Sequence, residues 1–289
     1  MTDIAIIGAG RLGTSLGFSL SREGFKVKSL SCLTLREARE SARIIGTAPQ
    51  ALADNAKAAA RGEIVLLCLP DEEIPKVVRE LSSSSVPWSN RTVLHCSGFL
   101  SSSVLVPLKK KGAVIGSLHP IQSVCRKSPL PGQFRNVFFG LEGEKKALNV
   151  AARIVKSLHG HALILEKKDK PAYHAACAFA SNFMVVILDA ATSILQRIGF
   201  SAEQAGRTLL PLTEGTLQNV KEFGVGASLT GPIVRGDIAT IKAHIKAIRS
   251  VPSLRRLYSA LGAQALKMAR KRGLPPGKIK ALRKLLEDR

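Results

Sequence analysis

A short β-branched run, residues 4–7, opens directly into Gly8-x-Gly10-x-x-Gly13, and residues 14–22 continue with helical spacing. No other stretch limits the fold so tightly. Gly8 permits the sharp turn out of the strand, and Gly10 lets a diphosphate approach the backbone. Gly13 lets the helix pack closely on the strand. The free N–H groups at the positive end of the helix dipole suit the diphosphate itself. The expectation is a dinucleotide-binding strand–turn–helix in which Gly8, Ala9, Gly10, Arg11, Leu12 and Gly13 face the ligand.

The pattern continues by alternation. Strands are expected at 25–30, 63–70, 92–97, 113–119, 136–140 and 162–165, with helices at 35–45, 74–81, 103–110 and 145–158 between several of them. The uninterrupted apolar run of 63–70 reads as a central parallel strand covered on both faces. Strands alternating with helices define a doubly wound α/β domain with a mostly parallel sheet over residues 1–166.

After Lys168 the pattern becomes helical, at 170–198, 201–221, 236–249, 253–272 and 275–287. Pro252, Pro275 and Pro276 stand near helix starts, where proline is tolerated. Residues 172–195 carry no charge except Asp189. Tyr173, His174, Ser181, Asn182 and Asp189 make a membrane span expensive there. A helix buried on all sides, at a domain or dimer core, is expected instead. Residues 167–289 are thus expected to be an all-α domain that binds substrate and forms a homodimer.

The five cysteines are odd in number and form no CxxC pair, and Cys68 and Cys96, inside apolar strand-like runs, are expected as buried thiols of a reducing cytoplasm. No N-terminal signal is expected, since the first strand begins at residue 4. The net charge of +22 admits nucleic acid or an acidic substrate as partner. Two tyrosines and one tryptophan leave little for base stacking, so no specific nucleic acid is expected.

The end of the second strand, 28–32, has no acid before Glu37. An NAD site usually places an acid there, on the ribose hydroxyls. Ser31 with Arg36, or Arg11 in the glycine loop, suits a 2′-phosphate, which favours NADP; Arg36 is equally an ordinary solvated helix residue. Leu69-Pro70-Asp71 and Ser97-Gly98 lie at strand carboxyl ends, where open α/β sheets bind ligands. Ser97 suits either a ligand contact or a turn cap. His119 also ends a strand, its direction fixed by Pro120, and reads as an active-site or a structural histidine. His159 and His161 lack a carboxylate or cysteine partner, and no metal site is expected.

In the helical half, Lys170, His174 and Ser181 project within about 40° of one another on an ideal helix, with Asn182 beside them. Polar groups on a buried apolar helix are costly unless satisfied. Lys170, desolvated there, would have a lowered pKa and serve as an acid/base. Arg235 is placed to clamp a carboxylate, or else to pair with Asp237, which would cap the following helix.

Together, Gly8-Ala-Gly-Arg-Leu-Gly13, Ser97-Gly98, His119-Pro-Ile-Gln-Ser123, Tyr173-His-Ala-Ala, Ala180-Ser-Asn182 and Thr230-Gly-Pro-Ile-Val-Arg-Gly-Asp237 carry a resemblance. The chain resembles the Rossmann-like reductases grouped near pyrroline-5-carboxylate reductase and the deazaflavin-dependent NADP oxidoreductases. The resemblance implies an N-terminal Rossmann domain and a C-terminal helical dimerisation domain. More distantly, Lys170-x-x-x-His174 is similar to the Lys-x-x-x-Asn pair of β-hydroxyacid dehydrogenases, with histidine in the asparagine place. His119-Pro120 is similar to the His-Pro of prephenate dehydrogenases. The expected function is an NADP(H)-dependent oxidoreductase acting on a small carbonyl, imine, hydroxy or amino acid. Lys170, His174 and His119 would do its chemistry, and Ser97, Gly98, Asn182 and Arg235 would hold the substrate. The alternative is a non-catalytic NADP sensor that meets a partner through its basic surface.

Overall fold

A computed structural model describes residues 2–287. The chain divides into two compact units, with the break between Ser181 and Asn182.

The N-terminal unit is built on an eight-stranded sheet of order β3-β2-β1-β4-β5-β6-β7-β8. The strands are β1 (Asp3–Ile7), β2 (Lys26–Ser31), β3 (Gln50–Leu52), β4 (Ile64–Leu67), β5 (Thr92–His95), β6 (Val114–Pro120), β7 (Phe138–Gly143) and β8 (His161–Ile164). Every neighbouring pair is parallel except β6 with β7. Around the sheet lie α1 (Arg11–Arg22), α2 (Leu35–Ile45), α3 (Asn55–Ala59), α4 (Ile74–Ser82), α5 (Val106–Lys109), α6 (Lys145–Ser157) and α7 (Lys170–Ala180).

Alternation along the strands feeds two apolar layers. Ile4 and Ile6 join Leu16, Leu20, Ile45 and Ile154, whereas Ala5 and Ile7 join Ile74, Val77, Leu81 and Trp88. Ile64, Val65, Leu66 and Leu67 in β4 are at most 2% exposed, as the uniform apolar run predicts. Each such side chain contributes roughly 1.5–3 kcal/mol by its burial. The strand order reverses at β1, so the carboxyl ends of β1 and β4 flank the point where such sheets open a crevice.

Three expectations are corrected. β3 and α3 form where no element was expected. The helix expected over 170–198 breaks at Ser181 (φ −121°, ψ −69°), which leaves α7 in the first unit. The helix expected to end at 221 runs on to Ser228, with a break at Gly224 (φ 79°).

The C-terminal unit holds α8 (Asn182–Gln196), α9 (Ala202–Ser228), α10 (Pro232–Arg235), α11 (Ile238–Ile248), α12 (Pro252–Lys271) and α13 (Pro276–Glu287). Its core is Ile241, Leu266, Leu282 and Leu286, contributed by α11 to α13. The apolar stretch Lys167–Gln196 is long and apolar enough to cross a membrane, but in the fold it is divided between α7 and α8. The expectation of a helix buried on all sides is not met within one chain. α8 has no buried residue, and Val185, Val186, Leu212, Phe223 and Val225 of α8 and α9 are 51–69% exposed. An apolar circumference says that a helix needs covering, not that its own chain covers it.

Candidate functional site

Each glycine of the first turn does what its position requires. Gly8 takes φ 84°, and its N–H and that of Ala9 both donate to the Ser31 carbonyl. A Cβ on Gly13 would lie 2.6 Å from the Gly8 carbonyl oxygen and 3.2 Å from Cys68 Cβ, so only glycine allows this helix–strand approach. A Cβ on Gly10 would meet nothing within 4 Å; it would project into open space. No side chain caps α1, and an anion laid against Gly10 would meet free N–H groups at a helix N-terminus. This loop fits a diphosphate.

Beside the loop lies a cleft of about 540 Å³, lined by residues that include Gly8, Ala9, Gly10, Cys32, Leu33, Asn55, Leu69 and Pro70. Gly8, Ala9 and Gly10 thus come together with the Leu69-Pro70 turn at this cleft. The side chains at the end of β2 differ from expectation. Ser31 is fully buried and donates its hydroxyl to Asn55 Oδ1 at 2.8 Å, because strand parity turns it inward. Arg36 and Arg11 are exposed and do not line the cleft, nor do Leu12, Gly13, Asp71 or Ser97. Glu37 and Lys127 line it instead. Glu37 closes a capping box on α2, accepting from Thr34 N at 3.3 Å and Thr34 Oγ1 at 3.0 Å.

A second cluster stands at the carboxyl ends of β5 and β6. His119 Nδ1 lies 2.7 Å from the Tyr173 hydroxyl, and the His119 and His174 rings are 6.2 Å apart. A Cβ on Gly98 would lie 2.7 Å from His174 Cδ2 and 2.9 Å from His119 Nε2, so residue 98 is bare where both imidazoles converge. Burial, with smaller contributions from the charges of Lys170 and His174, lowers the His119 pKa to about 4. Its ring is therefore neutral at physiological pH. One hydrogen bond joins the Tyr173 hydroxyl to His119 Nδ1, and the tautomer of the ring sets which of the two donates. With Tyr173 as the donor, the imidazole proton sits on Nε2, toward Gly98. Tyr173 was quoted for the resemblance but given no role from sequence.

Lys170 lies beneath this cluster, fully buried, its Nζ donating to the Ser97 carbonyl at 2.9 Å and to Ser117 Oγ at 3.0 Å. Burial lowers its pKa to about 8 against the opposing pull of Glu142 and Asp71, the direction desolvation predicts. Glu142 is 2% exposed and accepts from Ser102 N at 2.6 Å and Ser102 Oγ at 2.7 Å. The sequence offered one signal for Glu142, an acid inside a strand, but the strand expected at 136–140 stopped short of it.

Ser97 takes the turn role: its Oγ accepts from Phe99 N at 3.1 Å and Leu100 N at 2.8 Å. Ser181 does not extend the Lys170–His174 stripe, because α7 ends before it. In the C-terminal unit, Asn182 begins α8 and Arg235 ends α10, both exposed. Asp237 caps α11 through Thr240 N at 3.1 Å and Thr240 Oγ1 at 2.7 Å, not through Arg235.

These features define a Rossmann-type two-unit protein, and comparison with known proteins agrees. Residues 2–120 match the family described as a Rossmann-like domain, and residues 137–265 match the domain of unknown function DUF2520. The chain thus joins a Rossmann-like domain to a DUF2520 domain. Comparison with curated protein sequences finds no match. Among solved structures, a Bacteroides fragilis protein provisionally designated an NADP oxidoreductase is 22% identical with a TM-score of 0.76, covering 92% of this chain and 98% of its own. A reductive aminase from Aspergillus terreus, in complex with NADPH and ethyl levulinate, is 15% identical with a TM-score of 0.62, covering 98% of each chain. A pyrroline-5-carboxylate reductase from Coxiella burnetii is 17% identical with a TM-score of 0.55, covering 95% of this chain and 99% of its own. At these identities the likeness is one of fold.

Proposed function

We propose that this chain is an NADP-dependent oxidoreductase acting on a small carbonyl or imine acid, or on the corresponding hydroxy or amino acid. The bound cofactor would supply or accept the hydride. The observation that carries the reading is a histidine, kept neutral by burial and hydrogen-bonded to Tyr173, on the same carboxyl edge of the sheet as a glycine loop shaped for a diphosphate. In this reading Tyr173 donates to His119 Nδ1, the His119 Nε2–H hydrogen-bonds and polarises the substrate oxygen or nitrogen, and the proton taken up there as hydride arrives comes from solvent by way of His174, exposed beside it. Lys170 touches no open cleft. It fixes the Ser97-Gly98 turn against β6, and its charge adds to the burial that keeps His119 neutral. Arg235, whose side chain is exposed, is the candidate clamp for the substrate's acidic group. The apolar α8–α9 face is the proposed homodimer interface, which sedimentation would register as twice the 30.9 kDa chain mass.

The test is calorimetric titration with NADPH and NADH, then oxidation of bound NADPH by a panel of keto and imino acids. Micromolar NADPH binding with turnover of one substrate class is expected. Failure to bind either dinucleotide overturns the reading, and binding without turnover of any panel member replaces it with the sensor.

A further inference from the structure

Resting on the NADP reading, we infer that Lys127 recognises the 2′-phosphate of the dinucleotide, supplied not from the end of β2 but from the connection between β6 and β7. The cleft's wall at β2 carries no cation: Ser31 is buried, Leu33 is 96% exposed, and Arg36, whose charge reaches Glu40, is not among the lining residues. Lys127 is the one Lys or Arg among the described residues lining the cleft. Its side chain is 27% exposed, and its Nζ is held 2.9 Å from Glu40 Oε2 on α2, the helix that begins at the end of β2. Its charge reaches the Cys32 thiol, another residue of the same wall.

The acids nearby are accounted for. Glu37 is engaged with Thr34, Glu73 lies 2.6 Å from Lys76, and Glu40 holds Lys127 itself. A phosphomonoester carries about −1.5 to −2 charge at neutral pH and competes well with a single carboxylate for an ammonium group. Lys127 therefore exchanges Glu40 for the phosphate, or bridges the two. Without Lys127, the phosphate would face Glu37 and Glu40 with no counter-charge from the cleft.

Calorimetric titration of the wild type, Lys127→Ala, Lys127→Arg and Lys127→Glu tests this with four probes: NADPH, NADH, adenosine 2′,5′-bisphosphate and ADP. Lys127→Ala is expected to weaken NADPH and the bisphosphate by roughly tenfold, and Lys127→Glu by more, while Lys127→Arg keeps the preference. NADH and ADP should change by less than about twofold, and their unchanged affinity is the control for folding. NADPH affinity that ignores Lys127→Ala, or equal losses for all four probes, overturns the inference and leaves the NADP reading standing. A wild type that prefers NADH, or binds neither dinucleotide, overturns that reading and this inference with it.

Discussion

Lys170 is a positive charge with no exposed surface, and that makes a quantitative prediction. Burial lowers its pKa from 10.5 to about 8, against the attraction of Glu142 and Asp71. At 1.36 kcal/mol per pKa step, the charged form costs the folded state about 3 kcal/mol. Below pH 8 the lysine is charged whether the chain is folded or unfolded, and the whole cost is borne. Between 8 and 10.5 the unfolded chain keeps a proton that the folded chain has released, so stability rises with pH. Most of that rise, about 2–3 kcal/mol, falls between pH 7 and pH 10. Lys170→Met abolishes the titration but strands the Ser97 carbonyl and Ser117 hydroxyl, at a cost of about 1–3 kcal/mol. The two proteins should therefore be of similar stability at pH 7, with the wild type pulling ahead as pH rises. Urea unfolding can be followed through Trp88, the single tryptophan, which is 2% exposed in the same unit. The informative quantity is the difference between the two proteins, in which the other titrating groups cancel. A difference that stays flat from pH 7 to pH 10 would refute the reasoning, since it would give Lys170 an ordinary pKa.

Two further predictions follow from the same unit. Gly10→Ala places its methyl in open space, so stability should fall by no more than about 1 kcal/mol while NADPH affinity falls at least about tenfold. Gly13→Ala, with its Cβ 2.6 Å from the Gly8 oxygen, should instead lose about 1–3 kcal/mol of stability. Trp88 fluorescence and calorimetry separate the two, and the same outcome for both variants would count against the assignment. Imidazole NMR should show His119, with its pKa of about 4, neutral throughout pH 5–8. Tyr173→Phe should shift its ring nitrogens but not those of His95. A His119 titrating near 6.5 would remove the neutral donor from the proposed chemistry.

Local features were the legible ones. The three glycines and the uniform strand β4 each depend on residues within a few positions, and each formed where spacing required. β3 and α3 escaped because a three-residue strand and a five-residue helix carry too little periodicity to register. The histidine cluster was half legible. His119 and Lys170 stood out as polar groups in apolar surroundings, but the Tyr173 hydroxyl acquires its role across 54 residues of chain. Lys127 was invisible for the same reason more strongly, since it meets Glu40 across 87 residues from a segment without repeating pattern.

The single antiparallel pair in the sheet has a further consequence. A parallel connection must spend its residues carrying the chain back across the sheet, usually as a helix. β7 runs opposite to β6, so the chain leaves β6 and enters β7 on the same edge, and residues 121–137 have no distance to cover. Phe134 anchors the segment in the core, but none of residues 121–130 is buried, and these lie on the edge where ligands bind. Insertions, deletions or exchanges there would alter what the cleft prefers without changing the register of any strand. In this architecture cofactor choice can drift separately from the fold.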